Sequence, residues 1–451
     1  MRASASRHVR LAAAAAVSLL LAGCSAAAAP SAATSAPAAP PSATARAAAG
    51  VQAAPSHDLA VKAAPTNTST AVARAGGDGR ARRAALKVAS YDDRTRRAVI
   101  SAAEAPRTGD VIASGPAPGA PDGLLAEVTR VLDGDGTRTR VETAPATMSA
   151  LLGRDKAEGT VPVDPAEVDV EPLVADVEVS RATPGSRTTG PGGARLPLGS
   201  LRLDVGAEGG VPAAGLRVSG YVEVAPEVEF SYDGGPALSP DAAFLGLSGR
   251  WTSGWEVRGR AAVPADGGRP LRVPFARLHA DPVIQVGPVP VVVNLDLTCY
   301  LQVEADGTVS VDVRQDLKGG FRLGGDYERT AGWRPVTAAD MTSTPVRAAL
   351  TATGRVKATV GAEASVGLYG AVGVTADLAP YLRGEATAGA ASRGSAGSAA
   401  LAWTLYGGVD LTGALQLRLG VFGTPLMEQR VPLGALHREW LLDDGSLRPR
   451  A

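Results

Sequence analysis

The stretch Val291-Val292-Val293-Asn294-Leu295-Asp296-Leu297-Thr298-Cys299-Tyr300-Leu301-Gln302-Val303-Glu304 decides the fold. Val291, Val293, Leu295, Leu297, Cys299, Leu301 and Val303 fall on one parity. Val292, Asn294, Asp296, Thr298, Tyr300, Gln302 and Glu304 fall on the other. One set is apolar and the other almost wholly polar, and a period of two in which one side is buried is the signature of a half-buried β-strand. Ala305-Asp306-Gly307 is expected to turn the chain. Val309, Val311, Val313, Leu317, Phe321, Leu323 and Tyr327 then continue the apolar face.

Working outward, Val356 to Leu378 carries Val, Ala and Leu on even positions. Leu216, Val218, Val222, Val224, Val228 and Phe230 share a face, as do Leu411, Leu415, Leu417, Leu419 and Val421. Such runs imply strands of about 14–20 residues, roughly 45–65 Å at about 3.3 Å per residue, where about 3–10 residues is usual. Interior glycines such as Gly319, Gly367 and Gly373 are expected to mark bends or bulges. Toward the N-terminus, Leu124 to Leu132 and Thr137 to Thr143 flank Asp133-Gly134-Asp135-Gly136, a strong hairpin signal. The fold class expected is mainly β: a small β module at 86–183, then an elongated, curled antiparallel sheet or sandwich with unusually long strands at 197–451. Pro184-Gly185 and Pro191-Gly192-Gly193 would form the joint.

The first residues read differently. Arg2, Arg7 and Arg10 precede an unbroken apolar run, Leu11 to Leu21, which ends in Leu21-Ala22-Gly23-Cys24. A basic start and a short apolar stretch have the form of a secretory signal peptide, and the run is too short to span a bilayer. Leu21 to Cys24 resembles the lipobox of bacterial lipoproteins. The resemblance covers 1–24 alone. It implies that a signal peptide, 1–23, is removed and that Cys24 becomes a diacylglyceryl-modified N-terminus. Two acyl chains anchor stably where one is marginal, so the expected location is the extracytoplasmic face of a membrane. Residues 24–85 are rich in Ala, Pro, Ser and Thr without periodicity and read as a disordered linker.

The chain balances 45 basic against 45 acidic residues. Without the three arginines of 1–23 the remainder is 42 minus 45, a net −3. That does not suggest a nucleic-acid binder, which would show a basic stripe. After Cys24 the only cysteine is Cys299, so no intramolecular disulfide is available and burial must hold the fold. Aromatic residues make up 4% of the chain, too few for the girdles of a transmembrane barrel. The run Gly287 to Val293, with Leu368-Tyr369-Gly370 and Leu405-Tyr406-Gly407, resembles stretches of uncharacterised extracellular bacterial β-rich proteins, a resemblance that brings no activity with it.

Chemistry-bearing motifs are scarce. No Gly-x-Ser-x-Gly elbow, His-Glu-x-x-His, Walker loop or Rossmann fingerprint is present, and no metal or cofactor is expected. Asp133 and Asp135 could begin a calcium loop, but position 12 is Ala144, where a bidentate Glu is required. His279 and His437 read as surface residues. Cys299 reads as a buried, inert thiol. Tyr300, Tyr369 and Tyr406 fall out of phase with the apolar residues and, on neighbouring strands, would form an exposed aromatic patch for a sugar or protein. The functional expectation is a non-enzymatic binding or structural role at the cell envelope, with an envelope polymer, a protein or a lipid as ligand. One alternative is a carrier of lipid or another apolar ligand, in which Ala358, Ala362, Ala364 and Gly370 leave room inside a curled sheet. The other is a hydrolase built on a close carboxylate pair.

Overall fold

The computed structural model describes residues 56–64, 70–76, 80–175, 177–182, 200–205, 216–235, 239–263, 270–343, 347–351, 354–391, 398–416, 419–423, 430–432 and 436–447. The signal peptide, Cys24, most of the linker and the 184–195 joint lie outside them. Strand β1 is Asp58–Ala64. A small sheet follows: β2 (Thr70–Ala73), β3 (Ala81–Ala84), β4 (Leu86–Asp92), β5 (Arg97–Ala102), β6 (Val111–Ser114), β7 (Leu124–Gly134) and β8 (Arg138–Pro145). The short helix α1 (Ser149–Leu152) leads to β9 (Lys156–Pro162), β10 (Asp169–Pro172), β11 (Val177–Ala182), β12 (Ser200–Val205) and β13 (Leu216–Gly234). The chain continues through β14 (Pro240–Val263), β15 (Leu271–Ala280), β16 (Val283–Val286), β17 (Val289–Glu328), β18 (Gly332–Ser343) and β19 (Arg347–Thr351). It ends with β20 (Gly354–Leu368), β21 (Ala371–Ala391), β22 (Ser398–Gln416), β23 (Arg430–Pro432) and β24 (Leu436–Leu447).

The mainly β expectation and the unusually long strands hold: β14 has 24 residues and β17 has 40. The large sheet curls until its ends meet. β9 pairs with β13 on one side and β1 on the other, β1 pairs with β16, and β16 returns to β17. Because β17 also pairs with β14, and β14 with β13, a ring closes. The remaining strands extend its wall through β20, β21, β22 and β24.

Several expectations are corrected. The chain does not turn at Ala305-Asp306-Gly307. There β17 runs straight on, with Asp306 opposite Arg355 and Gly307 opposite both Gly354 and Val263. A turn dipeptide held in the ladder, on one side at Asp306 and on both at Gly307, stays extended. Ordered pairing begins at Asp58, inside the stretch read as linker, and β2 and β3 also lie before residue 86. All four β2 residues are buried, so β2 shows no alternation to read. The small sheet, in the order β3-β2-β6-β7-β8-β5-β4, ends at Pro145, and β9 to β11 belong to the large sheet. Leu419–Phe422 is a turn of 3₁₀ helix and not a continuation of β22.

The β7–β8 hairpin stands where Asp133 to Gly136 placed it. Its carboxylates serve the turn. Asp133 takes the Arg140 guanidinium, and Asp135 accepts from the Thr137 and Arg138 backbone N–H groups and the Thr137 hydroxyl. These bonds, with the Thr137 backbone N–H foremost, hold the Asp135 carboxyl down at about 2. Gly367 sits at a register shift between β20 and β21, as a strand-interior glycine should.

One stretch of the interior is filled. Phe422 is fully buried, with its ring centroid 6.0 Å from Phe230 and 5.6 Å from Trp333. Met148 N donates to the Val421 carbonyl at 2.6 Å, and Ser149 Oγ donates to the Phe422 carbonyl. Helix α1 and the 3₁₀ turn therefore form a plug, joined to each other by these bonds and to the sheet through Phe230 and Trp333. The small sheet meets the start of β17 beside Gly123, where a Cβ would lie 2.5 Å from Val292 Cγ2.

Candidate binding site

Beyond the plug the inner face is not filled. An apolar cleft of about 130 Å³, partly open to solvent, remains between the strands. Leu247, Trp251 and Ser253 of β14 line one wall, and Leu295, Leu297 and Cys299 of β17 line another. The remaining walls come from Phe275 of β15, Leu201 and Leu203 of β12, Val222 and Val224 of β13, and the small residues Ala362, Ala364 and Ala376 of β20 and β21. These are the apolar parities of strands that alternate, so the pattern that buries one sheet face also builds the cavity. Alanines at facing positions lack the volume to close the gap. Of the small residues named from sequence, Ala362 and Ala364 line it. Gly370 does not: it sits at positive φ in the Tyr369-Gly370 turn, and its N–H donates to Asn294 Oδ1 at 2.6 Å.

The lining includes no Lys or Arg, and its ionisable side chains other than Cys299 are His279 and Asp296. Burial pushes the Cys299 thiol up to about 12, so at neutral pH it is a protonated apolar group rather than a nucleophile.

The outer face of the same wall is polar and tightly bonded. His279 Nδ1 meets Asp296 Oδ1 at 2.8 Å, and Nε2 meets Asp281 Oδ2 at 3.0 Å. The bond to Asp296 leads the effects that raise the imidazole above its ordinary value. A carboxylate on each ring nitrogen favours the protonated ring. Ser365 donates to Asp296 at 3.3 Å, not to the histidine, so the arrangement lacks the base-to-nucleophile contact of acyl-transfer chemistry. Asn294 Nδ2 joins Asp281 at 2.7 Å and Asp122 at 3.3 Å. Desolvation, then the nearby Asp281, raises Asp122. His437 is exposed, bonded to Asp410 and stacked on Tyr381.

The three tyrosines do not make an exposed aromatic patch. Tyr300 does leave the cavity face, but it is 2% exposed. Its ring lies on Gly361 of the next strand, where a Cβ would fall 2.1 Å from Cζ. The Arg272 guanidinium covers it at 3.4 Å, and the hydroxyl donates to Asp377 at 2.8 Å. Tyr369 donates to the Pro290 carbonyl in the turn after β20. Tyr406 lies under the Arg383 guanidinium at 4.2 Å. Tyr381, not singled out from sequence, repeats the Tyr300 pattern, with Gly408 beneath it, Lys357 over the ring at 3.9 Å and the hydroxyl on Glu439 at 2.9 Å. Tyr221 lies against Gly254 under Arg202 at 3.7 Å. A ring laid over a strand glycine restores the burial that the glycine forfeits.

No protein family, curated protein or solved structure matches the chain. The site is therefore described by its own chemistry: an apolar cleft in a curled sheet, backed by a hydrogen-bonded polar outer face. Among the described residues no helix is long and apolar enough to cross a membrane, and no cluster of His, Cys, Asp and Glu is arranged to hold a metal.

Proposed function

We propose that this chain is a lipid-anchored envelope protein whose curled sheet binds an apolar ligand, with Cys24 carrying the anchor and no chemical step performed. The observation that supports this reading is the unfilled apolar cavity. Native interiors are close-packed, with few voids larger than a water molecule, and an apolar cavity of about 150 Å³ suffices to take up benzene. The cleft's volume of about 130 Å³ suits a short hydrocarbon segment, and its open side lets the rest of a chain extend outward. Small-molecule sites are concave, mostly apolar and largely pre-formed, and this one has those properties. Placed at a membrane surface by the Cys24 lipid, such a body would take its ligand from the bilayer or the surrounding envelope.

The test is native purification followed by mass spectrometry of the extracted small molecules. The expected result is a lipid or other apolar compound in near-stoichiometric amount. A chain that copurifies with none, and that fails to bind an environment-sensitive apolar fluorophore, would leave the body with a structural or partner-binding role instead.

A further inference from the structure

The inner face of β14 carries a feature that an apolar cavity does not need. Trp251, Ser253 and Trp255 follow one another at alternate positions, so all three point inward. They are 7%, 2% and 5% exposed. Trp251 and Ser253 line the cavity, and Trp255 continues the row beside Phe275, 6.2 Å between ring centroids. Among the described residues, Trp251 Nε1, Ser253 Oγ and Trp255 Nε1 have no hydrogen-bond partner.

Buried polar groups are nearly always paired, and each exception calls for a reason. Leaving one donor unsatisfied is costly, and placing several in one row within an apolar enclosure is more so. Room has been made for them. Gly319 of β17 is bare beneath the Trp251 indole, where a Cβ would lie 3.1 Å from Nε1, and Gly220 of β13 is bare beneath Trp255.

We infer that Trp251 and Ser253, flanked by Trp255, form a hydrogen-bonding station for the ligand, and that the ligand is a neutral lipid carrying an acyl ester. This deepens the reading of the cavity and rests on it. An indole N–H can only donate, and a serine hydroxyl can donate as well as accept, so the occupant must bring lone pairs. Ester carbonyl oxygens supply them within an otherwise apolar chain. A free carboxylate would also accept, but no Lys or Arg lines the cavity, and both ring nitrogens of its one histidine, His279, are already taken by Asp296 and Asp281, so a buried negative charge would go uncompensated. Side chains at alternate strand positions are about 6.6 Å apart, so neighbouring donors can meet separate acceptors on one molecule.

The experiment is competition against a bound apolar fluorophore, using the purified chain and two competitors of matched length, hexyl hexanoate and tridecane. The double variant Trp251→Phe, Ser253→Ala removes both donors and keeps an aromatic ring at 251, with the loss of part of the indole's volume. It is expected to lose about tenfold or more in affinity for the ester, since each bond lost weakens binding by about fivefold. Affinity for the alkane should stay within about twofold. Dodecanoate should compete more weakly than the ester. Equal weakening of ester and alkane, or no weakening of either, overturns the station while leaving the cavity reading intact. If neither compound displaces the fluorophore from the unaltered chain, both readings fall. Ser253→Ala alone removes a single atom and serves where the double variant does not fold. It should show about a fivefold loss for the ester only, and no loss would overturn the role of Ser253.

Discussion

Gly361→Ala tests whether the outer face is held by rings laid on glycines. An alanine Cβ at 361 would sit 2.1 Å from Tyr300 Cζ, 2.3 Å from Oη and 2.6 Å from Cε1. Carbon atoms in contact need about 3.5 Å, so the ring must retreat by about 1.4 Å. It cannot do so freely, because the Arg272 guanidinium lies 3.4 Å from its centroid and the hydroxyl is tied to Asp377. Displacement forfeits a hydrogen bond to a carboxylate, about 1.5–3 kcal/mol, and a cation–π contact of about 0.5–1 kcal/mol. Against this, alanine in a strand gains about 0.5–1 kcal/mol over glycine. The net expectation is a loss of about 2–3 kcal/mol, read from the shift in denaturant midpoint at constant slope. The decisive comparison repeats the substitution in a Tyr300→Ala background. With the ring gone, Gly361→Ala should become stabilising by about 0.5–1 kcal/mol, a change of sign and a coupling of about 3 kcal/mol. If Gly361→Ala costs the same in both backgrounds, the ring and the glycine do not support each other and the account of this face is wrong.

Other outcomes follow from the same geometry. Ala364→Leu places a larger apolar side chain on the inner face and should cut fluorophore binding at least tenfold while leaving thermal stability unchanged or raised; retained binding would mean the probe sits elsewhere. His279 faces Asp296 and Asp281, with Asp122 near, and its raised folded-state value favours the folded chain below the unfolded imidazole value of about 6.5. That contribution is lost as pH rises through the folded value, so His279→Asn should flatten the fall in stability as pH rises above about 6.5; an unchanged pH profile, measured by denaturant titration, would show that the ring does not contribute. Cys24→Ala should move the chain from the membrane fraction to the soluble fraction, and a variant that stays with the membrane would refute the proposed anchor.

What was legible in the sequence was whatever one strand could express by itself. The parity of Val291 to Val303 identified the buried face of β17, and the same parity sent Tyr300 to the opposite side. Its burial there was not legible, because it depends on Gly361 standing across the ladder, and cross-strand register belongs to tertiary structure. Asp306-Gly307 misled for the same reason: ladder partners on neighbouring strands override a local turn preference. Strand β2 was missed because its four residues are all covered and show no alternation. Trp251, Ser253 and Trp255 do alternate, but a hydroxyl in the middle of an inward face breaks an apolar count, and only the closed sheet shows that it points into a cavity.

The two faces of the wall are connected through stability. Apolar space left unfilled beside a core weakens it, and unpartnered donors add to that. A wall that must keep an empty interior cannot rely on interior packing, so its strands have to be fixed from outside. The outer face has the means: Arg272 over Tyr300, Lys357 over Tyr381 and Arg202 over Tyr221, each ring seated against a glycine of the neighbouring strand. Two of these rings also reach a carboxylate one strand further on, Asp377 and Glu439, so each tyrosine spans the ladder as well as filling it. Apolar volume is thereby provided outside the curl rather than within it, which explains why a chain with so few aromatic residues places several of them on the side facing away from its core.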